Sequence, residues 1–142
     1  MAITKQSGRQ RPIEAWVDFT YADIPTTATA YDALDLPVNA IVVGGDLVVT
    51  TAWNTATTAT LSIGDVTTAT RYGTTIDLKT AARTALTLTG FTHTSVENLI
   101  KATTAFVGTA ATAGAARLRV AYIVKLIAIE MIKAGNQFWF TH

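Results

Sequence analysis

The chain contains no cysteine. That absence excludes disulfides, thiolate metal sites and a cysteine nucleophile, and it leaves the redox compartment open. Histidine is nearly as scarce: His93 and His142 are the only two, too few for an imidazole metal centre. Charged residues make up 15% of the chain, against about 25% in an average soluble protein. The formal net charge is +1, so no long-range field draws in polyanions, and a nucleic-acid partner is not expected. Long uncharged apolar runs are missing too. The most apolar window, Leu118 to Ile132, is interrupted by Arg119, Lys125 and Glu130, whereas a membrane-spanning helix needs about 20 largely uncharged residues. No membrane partner is expected. Met1 to Pro12 holds no apolar run that would serve as a signal-peptide core.

What fills the chain instead is small and β-forming. Hydrophobic residues supply 49% of the positions, and Thr with Ala supplies about a third. At 142 residues the chain fits one domain, since single domains commonly run to about 100 to 150 residues. A surface this poor in charge suits a protein packed against copies of itself or against a larger assembly, because free monomers usually keep more charge for solubility.

Residues 1–13 are polar and basic, carry Gly8 and Pro12 and show neither periodicity, so they read as an extended arm. Glu14 to Tyr21 alternates, with Ala15, Val17 and Phe19 in one row and Trp16, Asp18 and Thr20 in the other. Ala22 to Pro37 reads as a loop punctuated by Pro25 and Pro37. Val38 to Trp53 is too β-branched for a helix, and Gly44-Gly45 in its middle marks a β-bulge or a bend between sheets. Leu47, Val49, Thr51 and Trp53 are expected to share one face. Thr60 to Ile63 alternates with Leu61 and Ile63 inward, which predicts a hairpin with the preceding strand. Ala69 to Tyr72 and Ile76 to Leu78 are short segments between turn residues. Ala85 to Thr89 alternates Leu86 and Leu88 against Thr87 and Thr89, and Leu99 to Val107 is a fainter strand. Arg117 to Ala128 reads as a long strand with Leu118, Val120, Tyr122, Val124 and Leu126 on one face, while Ile127 to Lys133 can continue as a short helix. About six to eight strands at intervals of about ten residues predict an all-β antiparallel sandwich, jelly-roll-like, over residues 14–134. Residues 135–142 form a tail with three consecutive aromatics, Phe138, Trp139 and Phe140.

Catalytic constellations are not apparent. Ser7, Ser62 and Ser95 sit in no G-x-S-x-G turn, and His93 with Ser95 lacks an identifiable third partner. Glu14, Glu97 and Glu130 lie in separate segments, unlike the facing carboxylates of a glycosidase. Asp65 and Asp77 are oxygen donors that calcium uses, but no D-x-D-x-D-G spacing is present, and Asp is an ordinary turn residue. No phosphate-binding loop occurs, and Gly44-Gly45 is followed by no helix pattern. Trp16 and Trp53 read as core or interface packing. The chain is expected to be no enzyme, with no catalytic residue, metal or cofactor.

The segment IVVGGDLVVTTAWN from Ile41 to Asn54, with Leu61-Ser62-Ile63-Gly64-Asp65 and Thr70-Arg71-Tyr72 after it, resembles the head decoration, or cement, proteins of tailed bacteriophages. Ala113-Gly114-Ala115-Ala116-Arg117-Leu118 looks like the lead into the final sandwich strand of such proteins. The resemblance covers Leu36 to Val124 and ends there, since Lys125 to His142 is longer and more aromatic than the pattern. It implies a β-sandwich, often trimeric, that sits on the outer surface of the expanded capsid, bound to the major capsid protein. It also implies synthesis in the host cytoplasm and no catalytic residues to carry over. The competing expectation is a tail, neck or fibre-associated binding module. For either role the candidate contacts lie at the chain ends: Lys5, Arg9 and Arg11 for carboxylates of an adjacent subunit, and Phe138, Trp139 and Phe140 as aromatic anchors.

Overall fold

The computed structural model describes residues 11–95 and 98–124. Among the described residues nine strands follow one another: β1 (Ile13–Thr20), β2 (Ala30–Leu36), β3 (Ala40–Thr51), β4 (Thr58–Asp65), β5 (Gly73–Asp77), β6 (Arg83–Ala85), β7 (Thr92–His93), β8 (Asn98–Val107) and β9 (Ala115–Val124). None of the described residues is helical, so no helix among them is long and apolar enough to cross a membrane.

The strands form two antiparallel sheets. Sheet A has the order β1-β9-β3-β6, with β7 also paired to β3, and sheet B has the order β2-β8-β4-β5. The pairing is nested: β1 takes β9, β2 takes β8, β3 takes β6 and β7, and β4 takes β5. One long antiparallel ribbon rolled onto itself produces that nesting, which is the jelly-roll arrangement of two Greek keys. The all-β sandwich is therefore the fold.

Alternation along the strands fills the space between the sheets. Sheet A contributes Ala40, Val42, Leu47, Val49, Leu118 and Val120, and sheet B contributes Leu61, Ile63, Ile100 and Ala102; all are buried. The inward row of β8 ends in polar groups that anchor loops. Thr104 Oγ1 donates to the Thr26 carbonyl at 2.5 Å, and Asn98 Nδ2 donates to the Ser95 carbonyl at 2.6 Å. A buried hydroxyl or amide without such partners would cost about 1–3 kcal/mol.

The Gly44-Gly45 pair does mark a bulge. The β3–β9 register slips between Val42 and Gly44, and Gly45 has φ +147° with its α-carbon facing the Arg119 carbonyl. Other expectations are corrected. The predicted loop from Ala22 to Pro37 contains β2, hidden by two aspartates and by a register break between Asp32 and Leu34 that spoils the period of two. β3 and β4 form no hairpin: they lie in different sheets, and the chain crosses between them at residues 52–57. A second register shift, between Val49 and Thr51, leaves Thr51 exposed while Trp53 is buried. Ala85 to Thr89 is not a strand beyond Ala85; Leu86 is buried and Leu88 is 49% exposed. The strand expected over Leu99 to Val107, by contrast, is present as β8, an inner strand of sheet B.

Candidate assembly surface

Outward positions of sheet A bring six charged side chains and one large aromatic together. On β1 these are Glu14, Trp16 and Asp18; β9 adds Arg117 and Arg119, β3 adds Asp46, and β6 adds Arg83. The register sets Asp18 opposite Arg117 and Trp16 opposite Arg119, while Asp46 lies on the far side of Arg119. Cross-strand neighbours on one face interact directly, so opposite charges here pair. Arg117 grips Asp18 through two bonds, of 2.7 and 3.0 Å, and its guanidinium stacks over the Trp16 ring at 4.4 Å from the centroid. Arg119 bridges Glu14 at 2.8 Å and Asp46 at 3.0 Å. Arg83 closes the row on Asp46 at 2.6 Å.

The charges along this row cancel, with three carboxylates against three guanidiniums. Hydrogen bonds from Arg119, and then from Arg83, hold the Asp46 carboxyl below the ordinary carboxylate range despite its burial. The Arg117 hydrogen bond does the same for Asp18. Trp16 remains 55% exposed above its cation, the kind of aromatic and arginine pairing that concentrates binding energy at interfaces. Toward the chain ends the same face turns apolar: Ile41 stands directly opposite Ile123, next to Ala121 and the exposed Val43.

A second polar cluster is internal. Tyr72 Oη and His93 Nε2 share a 2.7 Å hydrogen bond, and His93 Nδ1 lies 4.0 Å from Asp65 Oδ2. Asp65 accepts the Thr67 and Thr68 backbone N–H groups at 3.0 and 2.7 Å and pairs with Arg71. Burial pushes the Asp65 carboxyl up, but the Thr68 N–H and Arg71 outweigh it and the net shift is downward. Burial pushes the Tyr72 phenol up to about 12, with help from the Asp65 charge. Burial lowers the His93 pKa against the pull of Asp65. A phenol so hard to ionise is a poor nucleophile, and the four side chains lock the β4–β5 loop to β7. Ser95 is exposed, and the His93 ring nitrogens face Tyr72 and Asp65. Asp77 accepts the Lys79 N–H at 2.9 Å in a turn of its own. Among the described residues no group of three or more His, Cys, Asp or Glu comes together to hold a metal.

Of the contacts expected from sequence, Arg11 is described; it is exposed, two residues before β1. Lys5, Arg9, Phe138, Trp139 and Phe140 lie outside the described residues. The row built on Trp16, Arg117 and Arg119 went unrecognised as a unit, because a one-dimensional pattern does not tell which strands are neighbours. The signal available is the alternation itself: Trp16 and Asp18 stand two residues apart, as do Arg117 and Arg119, so each pair shares a face of its strand.

No family model matches the chain, and no curated protein matches it in sequence. Solved structures do. A chain of the cyanophage Pam1 capsid asymmetric unit superposes with a TM-score of 0.69 and 23% identity, over 87% of this chain and 94% of that one. This chain has the fold of a phage capsid chain. A chain of the acidic stable capsid structure of Helicobacter pylori bacteriophage KHP30 repeats the result, with a TM-score of 0.64 and 22% identity over 86% of this chain and 95% of that one. Both superpositions take in most of the sandwich, so the shared fold includes both sheets and not a single hairpin.

Proposed function

We propose that this chain is a structural protein of a phage virion that binds the outer surface of the capsid and stabilises it, a decoration or cement role. The observation that carries the reading is the likeness in fold to chains of two phage capsids, each over nearly the whole of both chains. That coverage makes the capsid chains about as short as this one, and a single sandwich of this size suits a part added to a shell. The sheet A face supports the same reading: its charges are already paired, so burial against a partner would leave no guanidinium or carboxylate of the row without a counterion. Binding the mature shell more tightly than its unexpanded or broken forms stabilises it by mass action, with no chemical step. The chain acts by binding and not by catalysis, makes its contact with the major capsid protein, and works as a homo-oligomer, a trimer. It is made in the host cytoplasm and resides on the virion.

Electron microscopy of particles carrying the protein tests the reading. Copies distributed over the shell, with particles that break at lower temperature when the protein is stripped, are the expected result. Copies confined to one vertex or to the tail overturn the decoration role and assign a tail, neck or fibre-associated module instead.

A further inference from the structure

Among the described residues the edges of the sheets differ in what they offer a further strand. β6 and β7, at one edge of sheet A, are three and two residues long. In sheet B, β2 is broken by its bulge after Asp32, and β5 slips in register against β4 between Leu61 and Ile63. Short or bulged edges resist pairing with other chains. β1, the other edge of sheet A, has neither defence: its eight residues pair with β9 without a shift. The Tyr21 N–H bonds the Gly114 carbonyl at 3.0 Å, which continues the same register. Antiparallel pairs alternate between bonded and non-bonded, so Ile13, Ala15, Val17 and Phe19 turn their backbone groups to β9, while Glu14, Trp16, Asp18 and Thr20 turn theirs to the open side. Asp23 Oδ2 takes the Thr20 N–H at 2.8 Å and ends the row. Among the described residues the N–H and C=O groups of Glu14, Trp16 and Asp18 have no strand beside them.

From this geometry we propose that the free edge of β1 is an interaction surface, filled by residues 1–10 of a second copy running antiparallel to it. An added strand satisfies the open main-chain groups, and charge selects the segment. Residues 1–11 hold three cations, Lys5, Arg9 and Arg11, and no carboxylate. All three stand at odd positions, so an extended segment carries them on one face. Residues 1–10 reach about 33 Å when extended, longer than the eight-residue β1. The edge row of β1 carries Glu14 and Asp18, four residues apart, as Lys5 and Arg9 are. Antiparallel pairing with Ser7 opposite Trp16 therefore sets Arg9 against Glu14 and Lys5 against Asp18, and opposite charges facing across strands attract. Both carboxylates already engage Arg119 and Arg117, but each is more than half exposed and keeps room for another donor. The segment comes from another copy because Arg11 and Pro12 make no turn ahead of β1, and a proline holds the residue before it extended. The proposal rests on the homo-oligomer part of the reading above and not on its capsid part.

The lack of cysteine makes cross-linking a specific test. Opposite residues of a bonded antiparallel pair lie about 5.5 Å apart between α-carbons, within disulfide reach. In the full-length Ser7→Cys/Trp16→Cys variant, mild oxidation is expected to join chain to chain, read as multimers on a denaturing gel without reductant, while each single variant stays unlinked. A link within one chain, no link, or single variants that link as readily overturns the proposal. Ser7→Pro removes the N–H that faces Trp16 and should weaken association about threefold to tenfold in analytical ultracentrifugation. Gln6→Pro removes an N–H that faces away from β1 and should change it little; equal effects of the two prolines overturn the proposal. Removing residues 1–10 should weaken association at least as much as Ser7→Pro. A full-length protein that is monomeric overturns both this proposal and the homo-oligomer reading, whereas an oligomer that associates as tightly without residues 1–10 keeps that reading and overturns only the strand exchange.

Discussion

Gly44 and Gly45 are adjacent and do different work. At Gly44 an added Cβ would meet nothing nearer than the Ala121 Cβ at 3.7 Å, an ordinary contact. At Gly45 it would lie 2.4 Å from the Arg119 carbonyl oxygen, on a backbone with φ +147°. Gly45→Ala should therefore destabilise the fold by about 2–4 kcal/mol, from backbone strain and displacement of β9 together, while Gly44→Ala should cost under about 1 kcal/mol; urea unfolding of the two variants checks the contrast. His93 makes a second prediction, in pH. Its folded-state pKa lies below the ordinary 6.5 because burial disfavours the imidazolium. The unfolded chain then takes up the proton first, so this contribution to stability is complete above pH 6.5 and is lost as the pH falls through the folded-state value. Asp65 on one side favours the protonated ring and Arg71 opposes it, and the net direction still holds. Unfolding midpoints measured across this range should fall on acidification, and the fall should be smaller in His93→Gln, which cannot titrate.

Between strands, the ion pairs of sheet A differ in burial and so in value. Asp46 is 5% exposed and accepts from both Arg119 and Arg83, whereas Asp18 and Arg117 are each at least half exposed. Solvent-exposed pairs contribute little to stability, but removing a buried carboxylate leaves its guanidinium partners without an acceptor. Asp46→Ala should lower the urea midpoint clearly and Asp18→Ala barely; equal effects would mean that the row is held by its exposed end. The same distinction between local and long-range information explains what was legible in the sequence. Strict alternation exposed β1, β3, β4 and β9, together with the inward Leu61, Ile63, Leu118 and Val120. It failed at β2, where a bulge after Asp32 breaks the period, and it was faint at β8, a strand read over Leu99 to Val107 whose inward row of Ile100, Ala102 and Thr104 is only weakly apolar. It failed again at the β3–β4 connection, because a hairpin and a sheet-to-sheet crossing use the same short turn. The charged row was half visible, since the residues sharing a face can be read from one strand, but its members meet only through β1–β9–β3 pairing, which joins positions 73 to 105 residues apart.

Across the whole molecule, Ile13 pairs with Tyr122 and Ala40 with Val124, so the described chain enters β1 and leaves β9 at one end of sheet A. The apolar positions Ile41, Ile123 and Val43 occupy that end of the outer face, and the neutral row carrying Trp16 runs beside them. This geometry turns the assembly proposal into a prediction that separates binding from folding. Trp16 points away from the core, so Trp16→Ala should shift folding stability by no more than about 0.5 kcal/mol. If the sheet A face meets the capsid, the same change removes a central aromatic anchor, for which a loss of about 2 kcal/mol or more is typical, equivalent to roughly thirtyfold weaker binding. Co-sedimentation of the variant with purified shells, run beside its urea unfolding curve, measures both quantities. Weakened retention with an unchanged unfolding curve assigns the contact to this face. Full retention would move the contact off sheet A, leaving the loops and the chain ends as the surfaces through which the sandwich could hold its shell.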